Sequence, residues 1–192
     1  IEDISGIEVN ISCPNVKEGA MAFGATSESA SSVIRAVRRS TVKPLIAKLS
    51  PNVTNIAEIA RAVEDAGADS ISLINTITGM VINVDSRQPM LANITGGLSG
   101  PAIRPIAVRM VFEASKAVTV PVIGIGGIFC ARDALEFIIA GASLVQVGCG
   151  MFVKPELSLE VIDGIKEYMV RHNIKSLSDL IGSIKTEEEQ QW

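Results

Sequence analysis

Two stretches, "EDAGADSISL" at residues 64–73 and "FIIAGASLVQV" at residues 137–147, carry the same pattern. In each, a helical segment ends at Gly-Ala, and an alternating apolar run begins directly afterwards. Glycine ends a helix because it adopts a left-handed backbone conformation without a steric penalty, and the alternating run is typical of a strand. A helix that stops and leads directly into a strand, twice in one chain, indicates βαβ units and a parallel sheet.

The same alternation extends over the rest of the chain. We predict strands at residues 7–12, 44–50, 70–75, 121–126 and 144–148, and helices at residues 27–40, 55–66, 102–117, 131–140 and 156–171. Ser27 and Asn55 are the predicted N-caps of the first two helices, because their side-chain oxygens can accept from free backbone N–H groups. Short connections of this kind cross over right-handedly, so the predicted fold class is α/β with a parallel sheet.

The composition supports this fold and limits the classes of function. Of the 192 residues 47% are hydrophobic but only 4% are aromatic, and this aliphatic bias suits strands that are covered by helices. The net charge is −4 and no basic block occurs, so we expect no nucleic-acid partner. The longest apolar runs are short and interrupted by glycine, and no signal peptide is recognised, so we expect no membrane span.

The cysteines and the histidine argue against a disulfide framework and a metal site. The three cysteines, Cys13, Cys130 and Cys149, form no CxxC pair, which favours a reducing, cytoplasmic location. His172 is the only histidine and lies far from any cysteine in sequence, so zinc-ligand spacing is absent. We interpret Cys130 as a buried packing residue, since free cysteine commonly is one.

One connection breaks the rhythm of strands and helices. Residues 77–100, "ITGMVINVDSRQPMLANITGGLSG", follow the third predicted strand and contain short β-like pieces of their own. We call this segment the excursion. Long loops in compact domains are usually functional or disordered. Because the excursion returns to a glycine cluster directly before a helix, we interpret it as functional.

Polar residues and glycines follow every predicted strand at its carboxyl end. They are Asn10, Ser12 and Cys13 in the first strand, Lys48 and Ser50 in the second, Asn75 and Thr76 in the third, Gly126 and Gly127 in the fourth, and Gly148, Cys149 and Gly150 in the fifth. In a (β/α)₈ barrel this face carries the active site, commonly with a phosphate after the last two strands. Glycine pairs let backbone N–H groups approach such an anion closely.

Cys13 and Lys48 each have two readings. A strand cysteine is most often a small buried hydrophobe, but Pro14 stops this strand and the neighbouring asparagines need polar partners, which favours a reactive role. A lysine at a strand end usually extends to solvent. Lys48 is harder to explain in that way, because it stands between Ala47 and Leu49 inside an apolar strand.

Several motifs together closely resemble the dihydroorotate dehydrogenase family, and the resemblance extends from about Ile7 to Arg171. The motifs are "EVNISCPN", "AKLSPNV", "ADSISLINT", "LANITGGLSGPAIRPIA", "GIGGI" and "AGASLVQVG". The "LANITGGLSG" segment is most similar to the NAD-linked two-subunit class, class 1B. The resemblance implies an FMN-binding (β/α)₈ TIM barrel, of which residues 1–182 form an incomplete C-terminal part with about five βα units. Residues 183–192 are expected to be an acidic, disordered tail.

The resemblance also implies roles for individual residues. Cys13 resembles the family's catalytic base, which takes a proton from C5 of dihydroorotate while C6 gives a hydride to FMN; a thiol with an ordinary pKa of about 8.5 can do this as thiolate. The implied substrate-binding residues are Asn10, Asn15, Asn75 and Thr76. The implied FMN-binding residues are Asn10, Lys48, Ile74, Gly100, Gly126, Gly127, Gly148 and Cys149. Threonine often stands at the position of Cys149, but backbone binding survives that change.

Partners follow from the same resemblance. Besides dihydroorotate and orotate, it implies a homodimer of catalytic subunits. It also implies an iron–sulfur, FAD-containing subunit that relays electrons to NAD. This chain has no cluster-binding cysteine set of its own, so the cluster is assigned to that second subunit. The pathway is de novo pyrimidine (UMP) biosynthesis. A complete barrel has about 250 residues, so we expect the first strands to be missing here and assign the activity to the complete protein.

Two other interpretations stay open from the sequence. A dihydropyrimidine (uracil) dehydrogenase domain shares the Asn-x-Ser-Cys-Pro theme, although the continuation "NVKEGAMAFG" favours dihydroorotate. The second interpretation is an inactive fragment that binds phosphate or completes a barrel with a separate chain.

Overall fold

The structure is a computed structural model that describes residues 3–12 and 23–186. The strands of this part of the chain are β1 (Ile7–Asn10), β2 (Leu45–Lys48), β3 (Ser70–Leu73), β4 (Ile77–Met80), β5 (Ile82–Asn83), β6 (Gln88–Pro89), β7 (Thr95–Leu98), β8 (Val122–Ile125) and β9 (Leu144–Gln146). Five of them form one parallel sheet in the order β1-β2-β3-β8-β9. These are the five predicted strands.

The helices alternate with the strands of this sheet, as predicted. They are α1 (Ser27–Arg38), α2 (Ile56–Asp65), α3 (Arg104–Ser115), α4 (Ala131–Ala140), α5 (Gly150–Val153) and α6 (Leu157–Arg171), and short 3₁₀ turns lie at Pro101–Ile103 and Leu177–Leu180. Among the described residues, no helix combines the length and the apolar character that a bilayer crossing requires. The last six residues of the expected tail, 187–192, lie outside the described part of the chain.

The Gly-Ala motif ends its two helices in the same way. Gly67 and Gly141 both have positive φ, at 100° and 122°. The same pair of hydrogen bonds closes each helix: Gly67 N–H to Glu64 O and Ala68 N–H to Val63 O in α2, and Gly141 N–H to Ile138 O and Ala142 N–H to Phe137 O in α4. This is the Schellman arrangement, which turns the chain sharply toward the next strand. The repeated motif therefore sets the βαβ rhythm.

Three sequence-based expectations concern residues at helix starts, and two of them need correction. The N-cap of α1 is Thr26 rather than Ser27: Thr26 has extended backbone, and its Oγ1 accepts from Ser29 N–H at 3.2 Å. Asn55 caps α2 as predicted, and its Oδ1 accepts from Glu58 N–H at 3.2 Å. The prediction of Cys130 as a buried packing residue is wrong, because Cys130 is exposed at the N-cap of α4.

The helices pack against the sheet, while its edge strand β9 stays partly exposed. Alternate strand residues such as Leu45, Ala47, Ile71 and Leu73 are fully buried in the core, whereas Leu144 in the edge strand β9 is 61% exposed. A parallel sheet is ordinarily covered on both faces, and in a barrel the inner face is filled by side chains from the other strands. The described chain is therefore an α/β partial barrel, as the sequence predicts.

The excursion forms two small antiparallel ribbons beside the main sheet. β4 pairs with β7, with Gly79 opposite Gly96, and β5 pairs with β6. Its apolar side chains are largely exposed: Met80, Val81, Ile82, Val84, Met90, Leu91, Ile94 and Leu98. The short β-like pieces expected from the sequence are confirmed.

Glu64 ties the end of α2 to the chain that enters β8, and this tie depends on pH. Its Oε1 accepts from Thr119 Oγ1 at 2.6 Å and from the N–H groups of Thr119 and Val120 at 2.8 and 3.1 Å. These hydrogen bonds, that of the Thr119 hydroxyl first, hold the pKa of Glu64 below its ordinary value of 4.5. Since the folded pKa is lowered, the stabilisation is present above that ordinary value and is lost as the pH falls through the folded pKa.

Glu64→Gln is therefore expected to lower the melting temperature at about pH 7, and this difference from the wild type should shrink as the pH is taken down from about 7 to below the ordinary pKa of 4.5 and through the lowered pKa of folded Glu64. Thermal unfolding of both proteins across this pH range measures the difference. A melting-temperature difference of equal size at both ends of the range contradicts the prediction.

Candidate active site

A cavity of about 270 Å³ opens at the carboxyl ends of the sheet strands. We call it the strand-end cavity. Because parallel strands end at the same edge of a sheet, residues that are distant in sequence meet here. Eight of the residues predicted for the site lie in its wall: Lys48, Ile74, Asn75, Thr76, Gly126, Gly127, Gly148 and Cys149.

Asn10 and Gly100 reach the cavity through residues in its wall. Asn10 Oδ1 accepts from Asn75 Nδ2 at 3.2 Å. Gly100 has a φ of 97°, and its carbonyl oxygen lies 2.6 Å from the position that a Cβ on Gly127 would take. Both predicted residues therefore contact the wall without forming part of it.

A hydrogen-bond network fixes the carboxamide of Asn75. Its Nδ2 donates to Ser12 Oγ at 2.5 Å as well as to Asn10, and its Oδ1 accepts from Thr76 N–H at 2.7 Å. Ser12 in turn donates its hydroxyl to Asn10 Oδ1 at 2.7 Å. The ends of β1 and β3 are thus joined by side chains, which orients the polar groups before any ligand binds.

Asn52 belongs to this polar edge but was not predicted. Its Nδ2 donates to Thr76 O at 3.2 Å and its Oδ1 accepts from Thr78 N–H at 3.0 Å. Asn52 therefore holds the backbone on both sides of Ile77, where the excursion begins. Its signal in the sequence was the same as that of Asn75, a carboxamide just after a strand.

The wall of the cavity is largely apolar, with a few neutral polar side chains and one cation. Lys48 is the only charged residue in it, and no carboxylate in residues 3–12 or 23–186 forms an ion pair with Lys48. The apolar side chains that join Ile74 were not predicted: Ile103, Ile125, Ile128 and Phe152. Most of these resemble core residues in the sequence, which gave no signal that they face a cavity. A half-buried cation in an apolar wall favours an anionic ligand with a hydrophobic body.

The glycines after β8 and β9 leave room and free donors. Gly126 and Gly127 have φ values of 138° and 70°, which a residue with a Cβ rarely adopts. A Cβ on Gly148 would have no atom of the described chain within 4 Å. Within that same part of the chain, the backbone N–H groups of Gly127, Gly148 and Cys149 donate to no acceptor. Free N–H groups in a glycine-lined recess suit an anion such as phosphate.

The excursion returns to the cavity at its end. Ser99 lines the wall, and a Cβ on Gly97 would lie 2.2 Å from Thr76 Oγ1. Glycine is therefore required at position 97 for β7 to pass Thr76. The excursion thus contributes directly to the shape of the site.

Cys13 and Asn15 lie outside the described residues. Ser12, the residue before Cys13, bonds to Asn75 in the cavity wall. The predicted roles of Cys13 and Asn15 remain predictions.

Comparison with known proteins identifies the family. The sequence profile described as "Dihydroorotate dehydrogenase" matches residues 2–169. The chain is 57% identical over 187 residues to the "Dihydroorotate dehydrogenase B (NAD(+)), catalytic subunit" of Porphyromonas gingivalis, which covers 97% of this chain and 61% of that protein. A protein of the same name from Brachyspira hyodysenteriae is 59% identical over 184 residues, again with 61% of its length covered. The chain therefore spans about three fifths of the length of these curated relatives.

A solved structure supports the same conclusion. The crystal structure of the Eimeria tenella enzyme, described as DHODH in complex with ferulenol, is 25% identical and superposes with a TM-score of 0.76. It covers 93% of this chain, and the match takes in 54% of the Eimeria chain. The resemblance predicted from the sequence motifs is confirmed by each of these matches. The chain belongs to the dihydroorotate dehydrogenase family.

Proposed function

We propose that the protein carrying this sequence oxidises dihydroorotate to orotate with FMN in the strand-end cavity, and that the electrons pass to NAD through a partner subunit. The observation that carries the proposal is the convergence of eight predicted site residues on one cavity, in whose wall Lys48 is the only charged residue that residues 3–12 and 23–186 supply. The names of the relatives support dihydroorotate as the substrate rather than uracil. The reaction belongs to de novo pyrimidine (UMP) biosynthesis.

The residues of the cavity fit FMN. The free N–H groups of Gly127, Gly148 and Cys149 suit its phosphate, and the open space beside Gly148 gives that group room. The isoleucines of the wall, including Ile74, suit the flat ring. The Lys48 cation suits the anionic reduced form of the flavin. We also propose that the backbones of Gly100 and Gly126 contact the cofactor. When bound, FMN supplies the hydride acceptor.

The polar edge of the cavity is proposed to hold the substrate. Asn10, Asn15, Asn75 and Thr76 bind the carbonyl, N–H and carboxylate groups of the ring, since a carboxamide offers both donors and an acceptor; Asn10 also contacts FMN. Cys13 removes the proton from C5 as thiolate. Loss of that proton and of a hydride from C6 leaves the C5=C6 double bond of orotate.

The partners are proposed from the family. The relatives are named catalytic subunits of an NAD(+)-linked enzyme, which supports a second subunit, here an iron–sulfur, FAD-containing one. We also propose a homodimer of catalytic subunits and a cytoplasmic location. Residues 1–182 are proposed as part of one barrel domain, followed by an acidic tail.

The complete protein is expected to copurify yellow with FMN. Release by acid, followed by chromatography and phosphate analysis, distinguishes FMN from FAD and riboflavin. A colourless complete protein that takes up no added FMN contradicts the proposal and favours an inactive, phosphate-binding fragment.

Two glycine variants separate the FMN site from the fold. Gly148→Ala is expected to weaken FMN binding about tenfold or more without lowering the melting temperature, because the new methyl group would contact no atom of the described chain and would enter the space proposed for the ligand. Gly124→Ala is the matched control: its Cβ would lie 2.6 Å from Phe137 Cδ1, and overpacking of this kind costs about 1–3 kcal/mol of stability. Unchanged FMN affinity in Gly148→Ala would place the phosphate elsewhere.

A further inference from the structure

A charged pair with a buried carboxylate lies behind the glycine loop, which we define as residues 126–130 between β8 and α4. Asp133 is buried, and one of its carboxylate oxygens, Oδ1, accepts from Arg104 Nη1. Neither residue lies in the wall of the strand-end cavity. We infer that Arg104 and Asp133 are positioning residues that hold the glycine loop in the shape that binds the ligand's phosphate.

Asp133 holds the far end of the glycine loop. Its second oxygen, Oδ2, accepts from Phe129 N–H at 2.8 Å and from Cys130 N–H at 3.1 Å. These two donors would otherwise be free at the start of α4. The carboxylate therefore satisfies the last N–H groups of the loop, while those of Gly127, Gly148 and Cys149 stay available to a ligand.

Arg104 holds the near end of the loop through its backbone. A Cβ on Gly127 would lie 3.2 Å from Arg104 N and 3.0 Å from Arg104 Cβ. The first turn of α3 thus packs directly against Gly127. The same residue sends its guanidinium to Asp133, so one ion pair joins the start of α3 to the start of α4 across the back of the loop.

A second carboxylate, that of Glu136, also lies near the Arg104 guanidinium. Arg104 Nε lies 3.3 Å from Glu136 Oε2, an ion pair that makes no hydrogen bond in the described part of the chain. Arg104 therefore lies between two carboxylates, of which only Asp133 contacts the loop. Loss of the Asp133 charge lets the guanidinium move toward Glu136 and releases the two N–H groups of the loop.

This inference rests on the proposed FMN site, and its test uses the phosphate as the readout. In the complete protein freed of cofactor, the dissociation constants of FMN and of riboflavin are measured by flavin fluorescence for Asp133→Asn and Arg104→Lys. The control is Glu113→Gln, which removes an exposed ion pair between Glu113 and Arg109. Both residues lie on α3, the helix that begins with Arg104. Arg104→Lys keeps the test valid if Asp133→Asn fails to fold.

We expect both variants to bind FMN about tenfold more weakly, the usual effect of losing one hydrogen bond to a charged group, while riboflavin binding stays unchanged. The control should leave both constants unchanged. Equal losses for FMN and riboflavin, or no loss for either, overturn the inference, because a purely structural pair cannot distinguish the two ligands. A wild-type protein that binds FMN no more tightly than riboflavin contradicts the phosphate site itself, and the inference with it.

Discussion

Replacing Cys13 with alanine is expected to slow the oxidation of dihydroorotate by about 10²–10⁴, the usual contribution of a positioned general base. The fold and the flavin spectrum should stay unchanged, since alanine is a small residue and the substitution removes only the sulfur. The basis is position: Cys13 follows Asn10 and Ser12, and both of these bond to Asn75 in the cavity wall. The measurement is flavin reduction in a single turnover after mixing with dihydroorotate.

Two further variants sharpen this prediction. Cys13→Ser should retain some activity that rises at high pH, because a hydroxyl is a weaker acid than a thiol with its ordinary pKa of about 8.5. Cys130→Ala is the matched control, since Cys130 is exposed at the start of α4 and outside the cavity wall. If Cys13→Ala reduces its flavin as fast as the wild type and only its melting temperature falls, Cys13 is a packing residue.

The second large effect is expected at Lys48. Lys48→Met keeps most of the length of the side chain and removes the one charge that the described part of the chain places in the cavity wall. Fixed charges in a water-poor site stabilise developing charge strongly, and removal of one such group typically costs about 10²–10³ in rate. We therefore expect flavin reduction to slow by that factor and the flavin's reduction potential to become more negative.

Lys166→Met serves as the matched control for this variant. Lys166 lies on α6, is 68% exposed and pairs with Asp163, so the same substitution there should change neither the rate nor the potential. A Lys48→Met protein with wild-type rate and wild-type reduction potential contradicts the role of Lys48.

The fold was predictable because local signals agreed with one another. Gly67 and Gly141 end their helices as the Gly-Ala motif indicates, and the five sheet strands have their polar residues at one edge. The N-cap at Thr26 shows the limit of such reading: threonine and serine stand side by side there, and only the backbone geometry decides between them.

The site was only partly predictable, for a physical reason. Polar residues at strand ends stand out in an apolar sequence, so the position of Lys48, Asn75 and the glycines at this edge of the sheet could be predicted. Ile125 and Ile128 have the composition of core residues, and only the three-dimensional path of the chain places them at a cavity. The exposure of Cys130 at the start of α4 could not be predicted either, because it too depends on the three-dimensional path of the chain.

The most direct measurement of the proposed function is anaerobic mixing of the FMN-loaded complete protein with dihydroorotate, in which flavin absorbance and orotate are both followed. We predict that the flavin is bleached and that one orotate forms for each flavin reduced. Dihydrouracil, which lacks the carboxylate, should leave the flavin oxidised. Flavin that stays oxidised with dihydroorotate, or that is reduced by dihydrouracil instead, contradicts the proposed function.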